Sequence, residues 1–392
     1  MTGPMQSHPR SGQVVQQLEG YSAFEPVNLP PDPPIAVDND LLSLLSAADT
    51  AVGRLDGLAR TLPDADLFLA MYVRQEALLS SQIEGTECTM DDILAFALLP
   101  VAEPSLDVGE VVNYVAALQH GVGLLSELPL CNRVLREMHA VLLRSGRGSD
   151  SSPGEFRRTQ NWIGPPGCTL TTASFVPPPR HVMERAMTAL EDYVHESTLP
   201  VLVTAGLTHA QFETIHPFLD GNGRTGRMFI SLLLHERELL SKPVLYLSTF
   251  LKRHQARYFD HLTAVRHDGT WEAWLGFFLE GVAEAASGTA HTAGKIHRLR
   301  ESDRANALFA GAGKHDVALL DAMFRQPLVN SAWVQRELHV TAPTANKALD
   351  RLCELNIIRE TTGAKRNRTY RYDAYLELFE AIAPVALDDT QS

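Results

Sequence analysis

Within twelve residues, His216-Pro217-Phe218-Leu219-Asp220-Gly221-Asn222-Gly223-Arg224-Thr225-Gly226-Arg227, the chain gathers a histidine, a carboxylate, three glycines, an asparagine and two arginines. An imidazole with a pKa near ~6.5 can take a proton close to neutrality, so His216 is a candidate general base. Asp220 offers the hard oxygen that Mg²⁺ takes beside substrate phosphates. Asp220-Gly221-Asn222-Gly223 is turn chemistry, and its successive N–H groups can form an anion nest at a helix N-terminus. Arg224 and Arg227, three residues apart, fall in the first turn of the following helix. The macrodipole there is already positive, so two cations are costly until an anion or carboxylate arrives. A nucleotide polyphosphate would satisfy nest and arginines together.

Two plainer readings compete. Gly221-x-Gly223-x-x-Gly226 formally fits the dinucleotide fingerprint, but no strand precedes it and no βαβ pattern surrounds it. A tight helix–turn–helix with a satisfied core histidine would suit a lone His216, but not this density of chemically active residues.

The segment resembles the Fic-family motif H-P-F-x-D/E-G-N-G-R-x-x-R at every fixed position. That resemblance implies an adenylyltransferase, which moves AMP from ATP to a hydroxyl side chain (Ser, Thr or Tyr) of a target protein and releases pyrophosphate. By it, His216 resembles the base acting on the target hydroxyl and Asp220 the Mg²⁺ ligand. Gly221, Asn222 and Gly223 resemble the α- and β-phosphate cradle, Arg224 its charged partner and Arg227 the γ-phosphate clamp. Thr225 and Gly226 complete the nucleotide-binding stretch, and Phe218 reads as a core anchor. Tyr258, after Tyr246-Leu247-Ser248-Thr249-Phe250, resembles a wall of the adenine pocket.

A second stretch, Ser80-Ser81-Gln82-Ile83-Glu84-Gly85, ends a helical pattern. Gly85 suits a left-handed C′ position, which leaves Glu84 in the last turn, where the dipole disfavours an acid. On spacing alone Glu84 is a solvent-facing helix end. Ser80-x-x-x-Glu84-Gly85 also resembles the family's inhibitory pattern [S/T]-x-x-x-E-[G/N], which implies that Glu84 pairs with Arg227 and obstructs the γ-phosphate.

These residues need a helical frame. Leu207, Ala210, Gln211 and Ile215 predict a helix from Thr204, ended before Pro217, and Met228, Leu232 and Leu233 predict another from Arg224 to Leu240. Upstream, helices are predicted from Asn39 to about Leu62 and, after Pro63-Asp64, from Asp66 to Ile83. Further helices are expected over Asp91 to Leu98, Val108 to Leu128, Cys131 to Leu143 and His181 to Val194. Asn161 to Gly164 and Leu170 to Val176 predict a β-hairpin, which the resemblance makes a flap that holds the target segment by adding a strand. His209 and Glu213 have metal-ligand spacing but no third ligand, and read as helix-surface residues.

The chain divides into an extended N-terminal lead-in (1–36), where Tyr21, Phe24 and Val27 can pack, and a helical region with the inhibitory helix (37–105). A catalytic core (106–290), a connecting helix and hinge (291–313) and a C-terminal module (314–392) follow. The last, with three helices and a basic hairpin, resembles a winged helix-turn-helix. Its recognition helix would carry Thr344, Asn346, Lys347 and Arg351, and its wing Lys365, Arg366 and Arg368. DNA binding and target docking are both open readings for it. The fold class is therefore mainly α: a Fic helical core with a small β-hairpin flap plus a C-terminal winged-helix domain.

The 392 residues are 45% hydrophobic, enough for several cores, and the formal net charge of −13 argues against coating nucleic acid or a membrane surface. Cys88, Cys131, Cys168 and Cys353 are scattered without a C-x-x-C pair, which fits reduced thiols and a cytoplasmic setting. No signal peptide or membrane span is read. The expected partners are ATP with Mg²⁺, a target protein and a second copy in a homodimer. Alternative functions are a nucleotide-sensing DNA-binding transcriptional regulator and a de-AMPylating enzyme in which Glu84 positions a water; intact His216 and Asp220 favour transfer.

Overall fold

The computed structural model describes residues 7–61, 65–98, 103–364 and 367–380, with the backbone alone for 65–69 and 380. The expected break at Pro63-Asp64 lies outside them. The protein is mainly helical, with small antiparallel sheets.

The N-terminal stretch departs from the expected lead-in. β1 (Gly12–Gln16) and β2 (Ser22–Pro26) pair antiparallel, Gly12 opposite Pro26 and Gln16 opposite Ser22. Gly20, at φ 89°, closes the turn between them. The strands are short and polar, so their pattern is faint; buried Phe24 anchors them, its ring centroid 5.8 Å from that of Phe175.

The helices follow: α1 (Asn39–Thr61), α2 (Ala65–Ile83), α3 (Met90–Phe96), α4 (Leu106–Leu124), α5 (Asn132–Leu142) and α6 (Arg180–Glu196). Starts are set by local chemistry. Asp38 accepts from the Leu41 N–H, Thr89 and Asp92 form a capping box, and Ser105 accepts from Val108. Next come α7 (Val201–Ile215) and α8 (Asn222–Glu236), the central antiparallel pair. Every residue of α7 from Leu202 to Ile215 is buried, as befits a helix apolar on most sides. The expected exposure of His209 and Glu213 is thereby overturned: α6, α8 and later helices cover them. α9 (Ser248–Arg253), α10 (Gln255–Asp268) and α11 (Trp271–Phe309) complete the core, with α1 lying along α11. The expected connecting helix and hinge (291–313) is continuous helix to Phe309.

The C-terminal module comprises α12 (Lys314–Met323), β3 (Leu328–Asn330), α13 (Ser331–Leu338), α14 (Ala342–Glu354), β4 (Arg359–Glu360), β5 (Thr369–Arg371) and α15 (Asp373–Glu380). Its antiparallel sheet has the order β3-β5-β4. The left-handed His339, φ 53°, makes the turn from α13 to α14.

The predicted flap is less regular than a hairpin. Asn161–Gly164 and Leu170–Val176 meet only at Ile163 and Phe175, which exchange N–H···O bonds of 2.8 and 3.0 Å. Pro165, Pro166 and Gly167 splay the segment, and the Phe24 N–H bonds to the Val176 carbonyl at 2.9 Å, drawing its second arm toward β2. Among the described residues no helix is long and apolar enough to cross a membrane, and the four cysteines are free.

Candidate active site

α7 ends because Pro217 cannot continue it, and His216 takes left-handed angles (φ 51°, ψ 60°) as the C-cap. The chain then turns through Asp220 to Gly221 (φ 76°), and α8 begins at Asn222, two residues before the sequence predicts. Asn222 clasps this turn: its Oδ1 accepts from the Phe218 N–H and its Nδ2 donates to the Phe218 carbonyl, both at 2.8 Å. The side chain is committed to the protein, leaving the backbone N–H groups of the first turn of α8 to face an anion.

Residues from distant segments fix the same turn, and sequence reasoning missed them. The Gly154 N–H bonds to His139 Nδ1 at 2.9 Å, so Nε2 carries the proton and donates to the Asp220 carbonyl at 3.0 Å. The His139 ring stacks on Phe218 at 3.7 Å, which makes Phe218 the anchor expected of it. Asn161 Nδ2 donates to the Phe218 carbonyl at 2.8 Å. Arg157 Nε donates to the His216 carbonyl at 3.0 Å. Each is a lone polar residue in sequence, with no spacing to mark it.

The two arginines differ. Arg224 is buried, 3.5 Å from both Glu110 and Asp220, yet its Nε and one terminal nitrogen have no hydrogen-bond partner. Glu110 in turn holds Arg147 at 2.6 Å and Thr86 at 2.7 Å. Arg227, also buried, donates to Ser80 Oγ (2.8 Å), the Ser80 carbonyl (2.9 Å) and Glu84 Oε1 (2.8 Å). Glu84 follows the end of α2, and Gly85 (φ 92°) closes that end. Lys252 Nζ and Gln255 Nε2 cap the Gln82 and Ile83 carbonyls at 2.8 and 3.0 Å. Glu84 Oε1 lies so close over Gly223 that a Cβ there would be 2.1 Å away. A carboxylate thus occupies the space above the helix N-terminus.

His216, Glu84, Gly223, Arg227 and Tyr258 line one cavity of about 710 Å³, with Trp162 and Phe175 of the flap segment across it. Burial first, and then the Arg157 cation, hold the partly buried His216 imidazole down to about 4, while Glu84 and a Glu213 backbone contact oppose the shift. Its Nδ1 has no hydrogen-bond partner. Tyr258 OH bonds to His209 Nε2 at 2.8 Å. Glu213 also lines the cavity, Oε1 unpartnered, with burial pushing its carboxyl up to about 7. Thr225 and Gly226 are not among the residues that line the cavity: Thr225 is fully buried, and Gly226 backs onto Glu213, to which a Cβ there would be 2.6 Å away.

No group of three His, Cys, Asp or Glu able to hold a metal occurs among the described residues. The Asp220 side chain, 41% exposed beside the nest, is a carboxylate that could serve a phosphate-bound Mg²⁺, which asks for one or two. On α14, Lys347 is exposed and Thr344 and Asn346 partly so. Arg351 instead pairs with Glu354 at 3.1 Å and donates to the Ala310 carbonyl, and Arg368 pairs with Asp350 at 3.2 Å. Lys365 and Arg366 lie outside the described residues.

Comparison with known proteins supports the Fic family. Residues 42–123 match the Fic/DOC family N-terminal model, and residues 129–234 the Fic/DOC family model. The protein adenylyltransferase Fic of Drosophila yakuba is 30% identical over 129 residues, 32% of this chain and 24% of that protein. The protein of the same name in Nematostella vectensis is 28% identical over 197 residues, 48% of this chain and 42% of that protein. The chain therefore spans less than half the length of these relatives. A Fic family protein of Desulfovibrio desulfuricans has a similar fold, with a TM-score of 0.54 at 21% identity over 86% of this chain and 97% of that one.

Proposed function

We propose that this chain is a protein adenylyltransferase, which transfers AMP from ATP to a hydroxyl side chain of a target protein and is restrained by Glu84. The observation that carries the reading is the Glu84 carboxylate, bonded to Arg227 at 2.8 Å and seated over Gly223 at the start of α8. An anion site built from a helix N-terminus and a buried arginine is held by an internal acid.

The N–H groups of the first turn of α8 and the Arg224 guanidinium, whose Nε and one terminal nitrogen make no hydrogen bond, would bind the phosphates nearest the reacting centre. Asp220 would hold Mg²⁺, whose charge would neutralise the phosphate oxygens. His216 is neutral over the physiological range because burial and Arg157 disfavour its cation. It accepts the proton of the target hydroxyl as that oxygen bonds to the α-phosphorus, and the bond from the α-phosphorus to the bridging oxygen breaks to release pyrophosphate. The flap segment across the cavity presents the target.

Arg227 can serve either Glu84 or a γ-phosphate with its planar fork. While Glu84 holds it, ATP still binds through the nest, but the α-phosphorus is misaligned, which costs on the order of 10²-fold in rate. Self-modification with labelled ATP compares the wild type, Glu84→Gly and Glu84→Gly with Arg227→Ala. The first substitution should raise transfer by roughly that factor and the second should cancel the gain. No rise in the first, or a rise that survives the second, overturns the competition.

A further inference from the structure

The unusual group near His216 is a cation. Arg157 is 1% exposed, and no carboxylate forms an ion pair with it among the described residues. Its hydrogen bonds go to carbonyls: Nε to His216 at 3.0 Å and one terminal nitrogen to Pro178, while the other terminal nitrogen has no partner. The Arg157 backbone N–H adds a 2.9 Å bond to the Pro217 carbonyl. One residue thus grips the two peptide units that turn the chain out of α7, and ties them to Pro178 at the foot of the flap segment.

This arrangement is costly for structure alone. A buried guanidinium without a counter-ion loses hydration that carbonyls replace only in part. A neutral donor could hold the same carbonyls at less cost, so the charge needs its own explanation. We propose that Arg157 is the positioning residue of His216: its carbonyl bonds fix the left-handed turn that aims the imidazole, and its unpaired charge opposes a second positive charge on that ring.

Other groups face the same imidazole. Arg266 of α10 also opposes its protonation, whereas Glu84 beyond α2 and the Glu213 carbonyl of α7 favour it. His267 and Tyr258 of α10 and the Glu213 carboxyl of α7, which burial pushes up to about 7, line the same cavity. The burial of Arg157 depresses its own pKa to about 10, which still leaves it charged at neutral pH. When an activating substitution removes Glu84, Arg157 and Arg266 still oppose the protonation of His216.

The inference rests on the reading of His216 as the base, and its test has an arm that needs no transfer. The His216 ring is titrated by NMR in the full chain, its signal assigned by loss in His216→Ala, for the wild type, Arg157→Lys and Arg157→Gln. Glutamine keeps a donor for the carbonyls and removes the charge; lysine keeps the charge and loses the fork. The glutamine variant should titrate at higher pH than the wild type, toward the ordinary value near ~6.5, and the lysine variant close to the wild type. In the Glu84→Gly background both should lower kcat by roughly 10- to 100-fold through loss of aim. Only glutamine should move the acidic limb of the kcat/KM profile upward. A glutamine variant titrating with the wild type, or a lysine variant shifted upward, overturns the charge role; if the glutamine variant does not fold, Arg157→Met, which also removes the charge, is titrated in its place with the same two outcomes. A chain that transfers no AMP in any background refutes the enzymatic reading and leaves the titration result standing.

Discussion

As the proposed base, His216 must be unprotonated to take a proton, and aimed at a group outside the imidazole's own turn. Burial and Arg157 disfavour its cation, and the left-handed turn between α7 and Pro217 sets where its side chain starts. His216→Ala should therefore abolish AMP transfer in the Glu84→Gly background, by on the order of 10²- to 10⁴-fold, with little change in ATP affinity. In the proposed mechanism the phosphates are held by the start of α8 and the arginines, not by the imidazole. Calorimetry with ATP and labelled transfer separate the two, and undiminished transfer would remove His216 from the role. At this scale the sequence was most readable where the chemistry is contiguous. His216 to Arg227 could be read because a dense, glycine-rich, charged stretch has no comfortable structural explanation. Glu84 could be read only beside it. His139, Arg157, Asn161 and Glu110 reach the site from three other segments, and spacing carries no signal for contacts closed by tertiary packing.

The long helices were legible because apolar periodicity records burial on one face, whereas short strands and breaks were not. β1 and β2 offer few apolar residues, and the flap segment reads as two strands although a single bridge joins it. α11 shows the opposite error: part of 291–313 reads as a hinge, yet the helix that passes Gly288 continues to Phe309, because Thr289, Thr292, Ala293 and Ile296 are buried and the Tyr72 hydroxyl bonds to the Thr289 carbonyl at 3.1 Å. Tertiary contacts override the helix cost of a glycine. Two glycines of this helix should therefore answer alanine with opposite signs. At Gly288 a Cβ meets nothing within 4 Å, so Gly288→Ala should stabilise by up to about 1 kcal/mol. At Gly281 a Cβ would lie 2.5 Å from the Phe250 ring, which is buried between Phe277 and His254. Overpacking costs about 1–3 kcal/mol, so Gly281→Ala should be destabilising on balance. Urea midpoints at unchanged slope would register both shifts; equal shifts would mean that α9 yields to α11.

Across the whole molecule, the C-terminal module packs chiefly on α11, touches α3 through Leu94 and Asp91, and reaches α2, the helix that carries Ser80 and leads to Glu84, through Tyr72 and Arg74. Tyr72 of α2 stacks on Tyr246 at 5.3 Å on one side and takes the edge of Phe379 of α15 at 5.0 Å on the other. Arg74 of α2 donates to the Arg325 carbonyl at 2.7 Å, Gln326 to the Leu94 carbonyl at 2.8 Å, and Arg371 pairs with Asp91 at 3.2 Å. Several module cations are engaged internally, Arg325 with Glu337 and Arg359 with Asp373 among them, which leaves fewer for DNA phosphates than the sequence suggests. The contacts of Phe379 and of the Arg325 carbonyl tie the module to α2. Loss of the Phe379 ring removes a buried wedge at a cost of about 3–5 kcal/mol to local packing, and α2 loses one of the two aromatic walls that hold it. Phe379→Ala should then raise AMP transfer where Glu84 is present, because a looser α2 holds the carboxylate over Gly223 less of the time. It should have no such effect in Glu84→Gly, where there is nothing left to loosen. Labelled-ATP transfer in the four backgrounds reads the interaction directly. An equal change with and without Glu84 would mean that α15 supports the fold and has no bearing on the restraint.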